Sequence, residues 1–163
     1  MLSRLFRLRW WLIVVVVWLG VLLPSPPALA ATDPYVARYL RVTEPIALEF
    51  NHSETRSFSP EQVSQGKQLF ENNCMSCHVG GATLPNPQVS LSLETLKGAN
   101  PRRDNIENLV VFLRQPMTYD GSEETYWCRG VPEGSIAQEK VENLAAFILT
   151  AAQKAPGWGT ESF

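Results

Sequence analysis

Apolar residues recur along this chain in two ways, as one unbroken run and at helical spacing, and each implies a different kind of element. From Trp10 to Leu23 they run without a polar break. Val63, Leu69 and Phe70 mark the inner face of a helix opened by Ser59-Pro60-Glu61-Gln62, where Ser59 can cap, Pro60 suits the first turn and Gln62 completes a capping box. Ile106, Leu109, Val110 and Leu113 repeat at i, i+3, i+4 and i+7, after an Asp104…Glu107 capping box and before the stop at Pro116. Val141, Leu144, Ala145, Ile148 and Leu149 form the buried stripe of a last helix from about Ala137 to Gln153, ended by Pro156-Gly157. Residues 31–57 read as irregular and polar, with short extended pieces around Pro45–Phe50. Residues 79–103, rich in Gly, Pro and Ser, read as a long loop with one short helical turn near Glu94–Lys97. The expectation is a mainly α chain of three to four helices joined by long loops, with almost no strand.

The first apolar run lies outside this scheme. Arg4, Arg7 and Arg9 precede it, and Pro24, Pro26, Pro27 and Ala28-Leu29-Ala30-Ala31 follow, the three-part pattern of a secretory signal peptide with cleavage after Ala30. The alternative is an uncleaved anchor, but a 14-residue run is short for a hydrocarbon core of about 30 Å. The expected organisation is therefore a signal peptide at 1–30, an irregular N-terminal extension at 31–57 and one domain at 58–163. Three of the 14 basic residues and none of the 16 acidic ones lie in 1–30, so the exported part carries 11 against 16, a net −5. That sign argues against nucleic acid and anionic lipid as partners, since both demand a positive face, and leaves a cationic protein surface as one that fits.

Cys74-Met75-Ser76-Cys77-His78 is a C-x-x-C-H sequence, the attachment motif of a c-type haem. Two thiols add across the two vinyl groups of one porphyrin edge, the two-residue spacer presents both sulfurs to that edge, and the next residue supplies the proximal imidazole. A thioredoxin-like site would require a βαβ context that is absent here. A structural zinc would have to recruit His52 and Cys128, and a disulfide between residues three apart is poorly placed. The reading is one covalent haem c on Cys74 and Cys77, with His78 as iron ligand.

The second axial ligand is less constrained. His52, in Asn51-His52-Ser53-Glu54, precedes the motif and reads as solvated; Met117 and Cys128 follow it. Cys128 is the third of three cysteines, an odd thiol in an exported chain, which is either buried and inert, paired between molecules, reactive, or a metal ligand. Ferric haem would hold it as thiolate.

From about Thr55 to Leu149 the chain resembles the cytochrome c-550 family, the extrinsic lumenal haem subunit of photosystem II in cyanobacteria and some algae. The resemblance rests on Gly66-Lys67-Gln68-Leu69-Phe70, Cys77-His78-Val79-Gly80-Gly81, Asn86-Pro87, Arg103-Asp104-Asn105-Ile106, Thr118-Tyr119-Asp120-Gly121 and, near the end, Gly157-Trp158-Gly159. It implies the class I c-type cytochrome fold, mainly α, around one covalent haem. It also implies a distal ligand a few residues after Tyr-Asp-Gly, where the family has histidine. No histidine follows His78 here, and Cys128 stands at or within one residue of that position. In this the chain is similar to the cytochrome c-550-like branch in which cysteine replaces the distal histidine, making Cys128 the preferred sixth ligand and Met117 the second choice. The resemblance places Asn86 near a haem propionate, although a turn residue before Pro87 is an equal reading.

The function implied is electron transfer at low potential in the thylakoid lumen, not enzymatic catalysis, with the protein peripheral on the lumenal face. The other readings are a structural subunit docked on photosystem II in place of cytochrome c-550, and a haem sensor with a labile cysteine ligand. The terminal Thr160-Glu161-Ser162-Phe163 differs from the family's tyrosine-ended tail, which bears on docking.

Overall fold

The helix opened by Ser59 and the C-terminal helix meet face to face, and the other described elements after residue 30 are arranged around that crossing. The computed structural model describes residues 10–11, 14–15, 31–83 and 89–160. The chain divides into two units, Met1–Ala30 and Ala31–Phe163, and the following concerns the second. Its elements are α1 (Pro34–Arg38), β1 (Ile46–Asn51), β2 (Glu54–Phe58), α2 (Pro60–Asn73), a 3-10 turn (Val79–Gly81), α3 (Leu93–Gly98), α4 (Ile106–Arg114) and α5 (Gln138–Lys154). No helix among the described residues is long and apolar enough to cross a membrane.

α2 begins as its sequence requires: Ser59 Oγ accepts from the Gln62 amide at 3.3 Å while Gln62 Oε1 accepts from the Ser59 amide at 2.9 Å. Val63, Gly66 and Phe70 are buried along one side, and Leu69 is half-buried. On α5 the burial is broader than an amphipathic stripe, running over Val141 and from Asn143 to Ala151. The two helices touch at Gly66, where a Cβ would stand 1.9 Å from the Asn143 carbonyl oxygen and 2.9 Å from Phe147 Cβ. Only a residue without a side chain allows this approach. Phe70, Phe147 and Trp158 extend the contact as a three-ring cluster with centroids 5.4–5.9 Å apart, within the range of favourable aromatic pairs.

Residues 31–57 are not the irregular extension expected. Asp33 caps α1 through Oδ1, which accepts from the Tyr35 amide at 2.7 Å, and Lys67 ties that cap to α2 by reaching Asp33 Oδ2 at 3.1 Å and Glu71 at 2.7 Å. β1 and β2 form an antiparallel hairpin with Ile46 opposite Phe58 and Leu48 opposite Arg56. Val36, Leu40, Val42, Leu48, Phe50 and Phe58 all enter the same core as the helices. β1 is the extended piece expected around Pro45–Phe50; its partner was illegible because β2 exposes every residue but Phe58, so its polar sequence carries no alternation. Among the described residues of 31–163 there are five α-helices, α1 being added to those expected.

α4 starts one residue later than the Asp104…Glu107 capping box suggested. Asn105 is the cap, its Oδ1 accepting from the Asn108 amide at 2.9 Å, while Asp104 pairs with Arg102, whose Nε lies 3.1 Å away. The short turn near Glu94–Lys97 is α3, capped by Ser92.

Candidate functional site

The C-x-x-C-H segment is shaped by the frayed end of α2. The Cys74 amide still donates to Phe70 O (2.8 Å), but the amides of Cys77 and His78 fold back onto Cys74 O at 3.1 and 2.9 Å. This extra turn places Cys77 and His78 one step beyond Cys74 on a common wall. Gly80 and Gly81 then take positive φ (58° and 81°), and a Cβ on Gly81 would lie 2.6 Å from the Trp158 ring. Gly80 O accepts from the Gly159 amide at 2.9 Å, and Trp158 Nε1 donates to Leu91 O at 3.0 Å. Thus Cys77–Gly81 and Gly157–Gly159, far apart in sequence, are held against each other.

Cys77 and His78 face an open, mostly apolar cleft enclosing about 1010 Å³, counting the part open to solvent. Leu96, Leu109 and Phe112 are among its apolar lining, and Met117, Trp127 and Cys128 are supplied by the segment that follows α4. His52 is not in this lining; it lies on the hairpin, 77 % exposed, with Glu49 as its neighbour at 3.5 Å. Asn86 lies outside the described residues. Met117 and Cys128 both line the cleft, so burial alone does not choose between them.

The His78 imidazole is oriented for a metal. Thr83 Oγ1 lies 2.9 Å from His78 Nδ1 and donates its single proton to Val89 O. The hydroxyl can therefore only accept from Nδ1–H, which leaves the Nε2 lone pair free. Burial pushes the His78 pKa below its ordinary value, with the backbone at Ala82 opposing, so the ring is neutral as a ligand must be. Burial pushes the Cys74 thiol up to about 11, and charge on Cys128 and Cys77 would add to the rise. The Cys128 thiol is also raised, by burial, against the lowering effect of the Arg103 cation. Both sulfurs are therefore protonated as free thiols.

Sequence reasoning missed two members of this site. Thr83 sits in the Gly/Pro-rich loop with no pattern to single it out. Arg103 carried part of the family resemblance but was given no role. Trp127 is 70 % exposed although it reaches the cleft wall.

A large apolar cleft, a neutral imidazole with Nε2 free, the Cys77 thiol in the lining and Cys74 one turn back, half-buried against the core, fit a covalently attached haem. Residues 39–163 match the family model described as the cytochrome c-550 domain. The chain belongs to the cytochrome c-550 family. A cytochrome c-550-like protein of Trichodesmium erythraeum (strain IMS101) is 50 % identical over 163 residues, 99 % of each chain. The photosystem II extrinsic protein V of Gloeobacter violaceus is 53 % identical over 134 residues, 82 % of this chain and 72 % of its own. Among solved structures, the PsbV2 cytochrome of Thermosynechococcus elongatus superposes with a TM-score of 0.78 at 56 % identity, covering 80 % of this chain and all of that one. Cytochrome c549 does so with a TM-score of 0.60 at 32 % identity, covering 66 % and 90 %. The protein is therefore a c-type cytochrome of class I fold with covalently bound haem c, and not an enzyme.

Proposed function

We propose that this cytochrome is a low-potential electron carrier of the thylakoid lumen, with haem c bonded to Cys74 and Cys77 and its iron held between His78 and Cys128. The observation that carries this reading is the convergence of Cys77, His78 and Cys128 on one cleft, with His78 Nε2 left free by Thr83. Bound haem supplies one-electron chemistry. Thiolate and imidazole both donate to ferric iron and lower its potential, whereas methionine raises it. Asn86 is assigned to the propionate side on the family resemblance.

Export follows from the leader-like 1–30 segment, with Ala31 as the processed N-terminus, and the protein is peripheral on the lumenal side. The relatives named photosystem II extrinsic protein V support association with that complex. The net −5 of residues 31–163 supports a cationic docking surface, on photosystem II or on a redox partner.

Electron paramagnetic resonance of the ferric holoprotein tests the ligand set. Thiolate–imidazole iron is low-spin with a narrow spread, and Cys128→Ser should abolish that signature while denaturing mass spectrometry still finds one haem on the chain. A spectrum unchanged in Cys128→Ser but altered in Met117→Leu would overturn it in favour of methionine. Ferrous protein that reacts readily with carbon monoxide would favour the sensor. Retention on isolated photosystem II cores, without electron exchange, would favour the structural subunit.

A further inference from the structure

Arg103 is a buried cation with no carboxylate among the described residues to answer its charge. It is 7 % exposed and lines the same cleft as His78 and Cys128. Among the described residues no carboxylate lies within ion-pair distance of it, although the chain carries 16 acidic residues and Arg102 and Arg56 both find one. Its hydrogen bonds all leave from Nη2, to Met117 O at 3.1 Å and Thr118 O at 2.7 Å. Its plane lies over the Phe112 ring, 3.8 Å from the centroid. Of five N–H donors, those on Nε and Nη1 have no protein acceptor among the described residues. Burying a charge without an anion is costly enough that native proteins seldom do it unless a ligand supplies one.

What Arg103 holds is the root of the distal segment. Residues 116–125 fold back on themselves: the Thr118 amide donates to Glu123 O (2.8 Å), the Thr125 amide to Pro116 O (3.0 Å), and Met117 bridges Glu124. Cys128 follows three residues later. The same loop is tied to the stretch before Arg103, since the Asn100 amide donates to Tyr119 O (2.9 Å) and the Tyr119 hydroxyl to Thr95 O (3.1 Å). Arg103 is the one charged side chain in this set of ties that also lines the cleft.

We propose that Arg103 is the positioning residue of the distal ligand: its Nη2 fixes the Met117–Thr118 carbonyls from which the chain runs to Cys128, and its unanswered charge stabilises the Cys128 sulfur as an anion in the cleft. The proposal rests on the Cys128 ligation argued above. Arg103 and Cys128 line the same cleft, so the cation and the sulfur border one enclosed space. Haem carboxylates are the other anions Arg103 could answer, and the experiment separates the two.

Ferric holoproteins carrying Arg103→Met, Arg103→Lys, Cys128→Ser and Arg103→Met with Cys128→Ser would be compared by electron paramagnetic resonance and by midpoint potential. Arg103→Met should lose part of the thiolate signal to a second iron species, and Arg103→Lys should restore a single thiolate species. The potential shift caused by Arg103→Met should differ between the wild-type and Cys128→Ser backgrounds, since two groups that act on each other are not additive. If Arg103→Met fails to mature, Arg103→Gln, which keeps amide donors without the charge, takes its place under the same expectation. An unaltered thiolate signal in the neutral variant, or equal potential shifts in the two backgrounds, would overturn the proposal, the latter by placing the charge on the haem carboxylates. A thiolate signal that survives in Cys128→Ser would instead sink the ligand assignment itself, and the proposal with it.

Discussion

Gly66→Ala sets two physical effects against each other, and their balance can be worked from the helix crossing. In an exposed helix the change stabilises by about 1 kcal/mol, because alanine loses less backbone entropy than glycine. Here the new methyl would stand 1.9 Å from the Asn143 carbonyl oxygen and 2.6 Å from its carbon, where ordinary contact begins near 3.4 Å. The obstacle is the backbone of α5, which cannot rotate away as a side chain can. Relief requires α2 and α5 to part by about 1.5 Å, the difference between those two distances. Parting loosens Phe70 from Phe147, both buried, whose ring centroids lie 5.4 Å apart. Overpacking of a rigid site costs about 3 kcal/mol at the upper end of its usual range. Net of the propensity gain, Gly66→Ala should lose about 2 kcal/mol. For a domain of this size that is a fall in Tm of about 6–8 °C. Circular dichroism melts and guanidinium titrations of the haem-loaded protein would measure it. A variant as stable as the wild type, or more so, would show that propensity dominates and that the helices are not locked at Gly66.

Four further outcomes are expected. Phe147→Ala removes the ring that contacts both Phe70 and Trp158 and should cost about 3–5 kcal/mol in chemical denaturation, with little change if the cluster is not a keystone of the core. Thr83→Val deletes the acceptor of His78 Nδ1–H, weakens the imidazole as a donor and should move the haem midpoint potential to more positive values in spectroelectrochemical titration. The Asp120 carboxyl is held at about 2, first by the Thr118 hydroxyl and then by Ser122. Its contribution to loop stability should be complete above pH 3.8 and lost as pH falls through about 2, and Thr118→Val should raise that midpoint in a carboxyl-detected NMR titration. Binding to a cationic partner should weaken steadily with salt, because exposed charges are screened beyond about 10 Å at 0.1 M; affinity that is flat or rising with ionic strength would point to an apolar interface.

Helical elements and covalent chemistry were legible in the order of residues because they are local. A capping box, an i, i+3, i+4, i+7 repeat and a C-x-x-C-H spacing each depend on neighbours within one or two turns. α2, α4 and α5 accordingly lie within a residue or two of where the spacing put them. Of the hairpin only β1 showed, as an extended piece; its pairing escaped because β2 is specified by its partner and offers only Phe58 to the buried face. The same limit applied to the site. Cys74, Cys77 and His78 announce themselves in five consecutive residues, but nothing local says that Thr83 will set the His78 tautomer or that Arg103 will reach the Met117–Thr118 carbonyls. Those relations exist only once Gly81 has let Trp158 close over the haem-motif turn and the loop after α4 has folded back towards Asn100. A side chain's neighbours along the chain determine which helix it joins; which charge or proton it meets is decided by segments that only the tertiary fold brings within hydrogen-bond reach.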